Sequence, residues 1–214
     1  MKIIVDMMGG DNAPLAVLEG AAQAVKEYGV QLIGVGNEAL VRKTAAEHNI
    51  PLDGIELVNC TETIEMCDEP ARAIRSKKDS SIVVGLNLLK EGRGDAFVSA
   101  GSTGALLTGA TLIVKRIHGI RRAALAPVLP NGDAGVMLID CGANADCTPE
   151  YLLQFAYMGS YYARTMLGIA APRVGLLSNG TEDHKGAQIQ HETFPLLKAA
   201  DAAGRIRFIG NVEA

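Results

Sequence analysis

Four short stretches hold most of the residues with which this chain could do chemistry: MGGDNAP (8 to 14), SAGSTGA (99 to 105), DCGAN (140 to 144) and SNGTEDHKG (178 to 186). They are rich in glycine, small hydroxyls and amides, and they also carry carboxylates. A glycine-rich turn that leads into a helix amino terminus presents unpaired N–H groups to an anion. Such loops suit phosphate or another small oxyanion. Each loop is equally readable as a turn with a helix cap. In the first, the glycines relieve the backbone, Asn12 is a capping residue, and Pro14 fits a helical first turn.

The residues divide by role. Gly9, Gly10, Asp11 and Asn12 in the first loop are candidate phosphate or substrate ligands, as are Gly101, Ser102, Thr103 and Gly104 in the second. Asp140, Asn144, Asn179, Thr181 and Glu182 extend the set. Candidate catalytic residues are Lys185, His184 and Asp6. The Lys185 ammonium would contact an anion or lie free on the surface. His184 would protonate a leaving group or steady its loop. Asp6 and Asp11 would orient donors, or would end a strand and cap a helix; Glu182 with Asp183 reads equally as a helix start. Ser102 and Thr103 stand where a helix amino terminus would offer hydroxyls and amides, with a dipole contribution of about 0.3–1 kcal/mol. Within DEPARAIRSKKDSS (68 to 81), Arg72, Arg75, Lys77 and Lys78 form the strongest basic patch. It is either a solvated helix face or a docking surface for an acidic partner.

These loops need strands and helices to aim them. Short β-branched runs alternate with segments of helical period, the pattern of βαβ units on a mainly parallel sheet. Strands are expected at 2–6, 30–36, 54–60, 95–100, 135–140, 173–178 and 205–210, with ALAPVLP (124 to 130) as an additional strand ended by Pro130. The first helix should present Leu18, Ala21, Ala22 and Val25 on one face, and a long helix should run from Pro149 to about Leu167. All four glycine-rich loops are expected at the carboxyl ends of strands on one sheet edge, where open parallel sheets gather ligands. At 214 residues, with no internal repeat or linker, the chain reads as one α/β domain spanning 1–214.

Composition narrows the function. The net charge is -4 and charges of both signs are interspersed, which argues against nucleic acid. Cys60, Cys67, Cys141 and Cys147 form no CxxC pair and have no nearby histidine at zinc spacing, so no metal site is expected. A reduced, cytoplasmic protein without a signal peptide or membrane span is the simplest expectation. The first loop is not GxGxxG, which counts against a dinucleotide enzyme, and there is no GxSxG elbow.

In order and spacing, VDMMGGDNAP, DEPARAIRSKKDSS, SAGSTGALL, DCGAN, SNGTEDHKG and FIGNVEA (208 to 214) resemble the bacterial phosphate acyltransferase (PlsX) family. The resemblance spans the whole chain. It implies a Rossmann-like α/β/α sandwich similar to phosphotransacetylase and to the isocitrate and isopropylmalate dehydrogenases. It also implies transfer of a fatty acyl group from acyl-[acyl carrier protein] to inorganic phosphate, without a cofactor, giving acyl phosphate for phospholipid synthesis. The implied partners are acyl carrier protein, phosphate, a second copy of the chain in a homodimer, and a downstream membrane glycerol-3-phosphate acyltransferase. The basic patch then becomes a candidate carrier-docking surface. Family chains continue beyond position 214 and associate peripherally with membrane, so this sequence reads as an N-terminal portion. Met7 and Cys141 stand where the family usually has alanine and a small aliphatic, and the residue order around Ser178 and Asn179 differs. Two rival classes remain: a dehydrogenase of related fold and a noncatalytic carrier-binding fragment.

Overall fold

The computed structural model describes residues 1–132 and 134–213, so Ala214 of FIGNVEA lies outside the described residues. The chain divides into two compact units, Met1–Arg116 and Ile117–Ala214.

The first unit is built on four parallel strands, β1 (Lys2–Asp6), β2 (Gln31–Gly36), β3 (Ile55–Asn59) and β4 (Ala96–Val98), in the order β3-β2-β1-β4. Strand alternation sends successive side chains to opposite faces. Leu18, Ala21, Val41 and Ala45, from α1 (Leu15–Tyr28) and α2 (Glu38–His48), form a core with Leu32, Ile55 and the partly buried Ile3, Val5 and Leu57. Leu88, on α4 (Ser81–Lys90), packs in another core with Ile4, Ile33, Val35 and Phe97. Both faces of this sheet are therefore covered, as a parallel sheet requires. Ile4, Ile33 and Val35 have no exposed surface, and truncating either isoleucine to alanine should cost about 2–5 kcal/mol.

The strand order reverses direction between β1 and β4. Strands β1, β2 and β3 extend the sheet one way, and β4 then joins the other side of β1. This is a topological switch point, where the loops leaving two neighbouring strands diverge and open a crevice at their carboxyl ends. The loops leaving β1 and β4 are MGGDNAP and SAGSTGA.

Between β3 and α4 lies α3 (Pro70–Ser76), and after β4 comes α5 (Thr103–Gly109), which continues as a wider π turn over Ala110–Val114. Gly104 brings α3 and α5 together: a Cβ there would lie 2.8 Å from Pro70 Cγ. Asn12 does not cap α1 as expected. Pro14 occupies the cap position, no side chain caps the helix, and Asn12 contributes its carbonyl, which accepts from Ala16 N at 3.0 Å.

The second unit contains an antiparallel hairpin of β5 (Val128–Asn131) and β6 (Ala134–Met137), and a parallel pair of β7 (Arg173–Leu177) and β8 (Arg207–Val212). Helices α6 (Pro149–Thr165) and α7 (Gln188–Ala202) pack together, and their Ala156, Leu197 and Ala200 form a core with Leu176 and Ile206. Thr148 caps α6 by accepting from Tyr151 N, and Pro149 takes the first helical position.

Two expectations are corrected by the hairpin. Pro130 does not end β5 but lies within it, opposite Gly135, which a two-stranded ribbon tolerates because one edge needs no donor. The run 135–140 pairs antiparallel with the preceding run, and its strand ends at Met137. Consequently the four loops follow strands of three sheets, two loops in each unit, and not one shared sheet edge. No helix among the described residues is long and apolar enough to cross a membrane.

Candidate functional site

At the switch point of the first unit, Asp6 ends β1 and is 1% exposed. Its carboxylate has no cationic partner among the described residues; hydrogen bonds hold it instead. Ser99 Oγ donates to Oδ2 at 2.7 Å and Met8 N donates to Oδ1 at 3.0 Å. Ser99 Oγ in turn accepts from Gly101 N at 3.1 Å. Asp6, Ser99 and Gly101 thus form a chain of bonds that ties the loop after β1 to the loop after β4. Ser99 lies inside SAGSTGA but was not among the candidate residues. Its place one position beyond a β4 residue registered with Val5 is what brings it to Asp6.

Glycine makes this approach possible. A Cβ on Gly9 would stand 2.7 Å from both Asp6 Oδ2 and Gly101 N, and one on Gly101 would stand 3.4 Å from Gly9 Cα. Gly9 is buried and Gly10 exposed, the latter at φ 99°. Asp11 and Asn12 are exposed. Ser102 is 6% exposed, and its hydroxyl is occupied in capping α5, where it accepts from Ala105 N at 3.3 Å. Thr103 opens α5 and is exposed.

Just beyond β3, burial first, then the charges of Asp79 and Asp6, push the Cys60 thiol up to about 12. At neutral pH it is protonated and no nucleophile.

The basic patch is heterogeneous. Arg72, Arg75 and Lys78 are exposed. Lys77 is a bracing residue: its ammonium pairs with Asp68 at 2.5 Å and donates to Thr63 O at 2.8 Å. Glu69 caps α3 through bonds from Ala71 N and Arg72 N.

In the second unit, Asp140 and Asn144 meet. Asp140 accepts from Leu125 N at 2.7 Å, from Asn144 N at 2.7 Å and from Asn144 Nδ2 at 3.2 Å, while Asn144 Nδ2 also reaches Ala123 O at 2.9 Å. Burial pushes the Asp140 carboxyl up, but the bonds from Leu125, Asn144 and Ala143 outweigh it and hold the group below its ordinary value. In this arrangement the pair organises a loop.

His184 and Lys185 are exposed, as are Asn179, Thr181 and Glu182. Residues 182–185 form a tight turn in which Lys185 N donates to Glu182 O at 3.0 Å. Glu182 and Asp183 do not start a helix, since α7 begins at Gln188, where Gln190 Oε1 accepts from Ala187 N. Gly180 and Gly186 shape the surroundings. A Cβ on Gly180 would meet Lys185 Cγ at 2.7 Å and Glu182 Oε2 at 2.9 Å, and Gly186 lies at φ 110°. An open cleft of about 500 Å³ runs beside this turn, lined by Leu177, Ser178, Asn179, Gly186, Ala187 and Gln190. Ser178 and Gln190 were not anticipated from sequence.

The family model described as "Fatty acid synthesis protein" matches residues 1–214. The chain belongs to that family. It is 51% identical, over its whole length, to a phosphate acyltransferase of Caldicellulosiruptor bescii, and 49% identical to one of Clostridioides difficile. It spans 64% and 62% of those two proteins, less than two thirds of either. Among solved structures it is similar over its whole length to the EutD phosphotransacetylase from Staphylococcus aureus, with a TM-score of 0.73, 23% identity and 68% of that chain covered. A phosphotransacetylase from Streptococcus pyogenes gives 0.72, 19% and 68%. These likenesses establish an α/β fold shared with phosphotransacetylases.

Proposed function

We propose that the protein transfers a fatty acyl group from acyl-[acyl carrier protein] to inorganic phosphate, giving acyl phosphate for phospholipid synthesis. The observation that carries the reading is membership of a fatty acid synthesis family whose relatives, at about half identity across this whole chain, are named phosphate acyltransferase.

The chemistry suits the residues. A phosphate oxygen attacks the thioester carbonyl, the carbon–sulfur bond breaks, and the carrier leaves as a thiolate that needs only a proton to become the free thiol. Phosphate is itself the nucleophile, so no activated serine or cysteine is required. The neutral Cys60 and the lack of a GxSxG elbow agree with that. Neither metal nor organic cofactor enters the scheme. Hydrogen-bond donors aimed at the developing oxyanion each contribute about 2.7–4 kcal/mol in comparable acyl transfers. In this reading the glycine loops after β1 and β4, with Gly9, Gly10, Gly101, Ser102, Thr103 and Gly104, supply backbone donors to an anion. Lys185 contacts phosphate, and His184 protonates the sulfur. The exposed Arg72, Arg75 and Lys78 attract the acidic carrier. The reading further includes a single domain comprising both units, a homodimer, and a cytoplasmic enzyme peripheral to the membrane that passes its product to a membrane glycerol-3-phosphate acyltransferase.

The test is direct. Purified protein is mixed with acyl-[acyl carrier protein] and phosphate, and acyl phosphate is trapped with hydroxylamine as the hydroxamate. Phosphate-dependent hydroxamate with stoichiometric release of carrier thiol supports the reading. Carrier binding with no product would leave a binding module, and turnover with acyl-coenzyme A alone would reject the carrier as substrate.

A further inference from the structure

We infer that Asn211, on β8, is the positioning residue for Lys185, acting as a clamp on the turn that carries it. The inference rests on the reading of Lys185 as the phosphate contact. Asn211 Nδ2 donates to Glu182 O at 2.8 Å and makes a longer contact to Lys185 O at 3.5 Å. One side-chain amide therefore holds both ends of the turn 182–185, and Lys185 N closes the same turn on Glu182 O.

The strand is built to aim that side chain. Ile206, just before β8, and Phe208 within it face the core with α7, while Arg207 and Ile209 are exposed. Simple alternation would turn Asn211 outward. Instead the register shifts: Val174 pairs with Phe208 but Leu176 pairs with Asn211, so Ile209 and Gly210 together oppose Gly175. Gly210 lies at φ 94°, where only glycine is unstrained. This β-bulge inserts one residue and rotates Asn211 to the face of Leu176, where it is 5% exposed. A buried amide on an apolar face is costly unless its bonds are used. Here Nδ2 donates to Glu182 O and lies 3.5 Å from Lys185 O, while Oδ1 has no partner among the described residues. The donor half is the half that serves the turn.

Limited trypsin digestion reads the clamp without any assay of activity, because trypsin cuts the Lys185–Gly186 bond only when the turn opens. In Asn211→Ala and in Asn211→Asp, which preserves size but removes the donor, cleavage after Lys185 should accelerate about tenfold relative to cleavage after the exposed Lys115. In the unsubstituted protein, the Asn211 side-chain amide protons should exchange with solvent far more slowly than those of exposed Asn179, a measurement independent of whether either variant folds. Unchanged relative cleavage in a folded variant, or amide exchange as fast as at Asn179, overturns the clamp. In the acyl phosphate assay, Asn211→Ala should raise the phosphate KM about tenfold, and combining it with Lys185→Met should add nothing to Lys185→Met alone. Additive losses overturn a role exercised through Lys185. If cleavage accelerates while Lys185→Met leaves the phosphate KM unchanged, the clamp stands and the assignment of Lys185 falls.

Discussion

Two residues separate charge from scaffold. Lys185 is exposed on its turn, so Lys185→Met should keep the fold while removing the positive charge proposed to contact phosphate. Acyl phosphate formation should need about tenfold or more phosphate to reach half-maximal rate, with circular dichroism unchanged. Wild-type phosphate dependence would exclude an essential contact, and global unfolding would make the residue structural. Ser99 is the opposite case. Its hydroxyl is inserted between a buried carboxylate and a loop amide, so Ser99→Ala strips Asp6 Oδ2 of its 2.7 Å donor and leaves Gly101 N unpaired. Loss of stability should be about 1–3 kcal/mol by urea unfolding, with Ser99→Thr recovering most of it because the hydroxyl is kept. Equal stabilities of the alanine and threonine variants would remove Ser99 from the bond network.

At the level of elements, the DCGAN loop depends on one ionised carboxylate. Asp140 is held below its ordinary value in the fold, so its contribution is present above the unfolded pKa of about 3.9 and is lost as pH falls through the lower folded value. Asp140→Asn should lower stability at pH 7 and flatten the decline on the acid side, measured by thermal unfolding from pH 7 down to about pH 2.5. Parallel curves for the two proteins would show that the loop does not rely on the charge. Elements were largely legible where one local signal sufficed. The run KIIVD reads directly as β1, and RVGLLS (173–178) as β7 with Ser178 falling just beyond its end, because β-branched and apolar residues fill them and polar or glycine loops bound them. Tertiary choices were not legible. Asn12 has the right chemistry for a cap, but the chain enters α1 through Pro14; Glu182 and Asp183 look like a helix start, but the chain turns there instead. Pro130 suggests a strand end only if both strand edges must be paired, and in the hairpin they need not be. The glycine inside FIGNV was the available sign of a bulge, and through it of Asn211.

For the whole molecule, a net charge of -4 gives no overall field that would attract the acidic carrier proposed as substrate, so under that proposal docking requires a local basic surface. The candidate surface is α3 and the residue after its cap, where Arg72, Arg75 and Lys78 are exposed. Lys77 belongs to a different class, since its ammonium is already committed to Asp68 and Thr63. Replacing all four basic residues at once would confuse docking with folding. The informative pair is Arg72→Glu with Arg75→Glu, set against Lys77→Met. Reversing two exposed charges should weaken carrier binding about tenfold at low salt, and the deficit should shrink as ionic strength passes about 0.1 M, where the screening length falls to about 10 Å. Lys77→Met should lower thermal stability and change the salt dependence of binding little. Carrier affinity measured by titration calorimetry across a salt series distinguishes them. If the double reversal binds carrier as tightly as the parent at every salt concentration, the arginines are a solvated helix face, and recognition of the carrier belongs elsewhere on the protein.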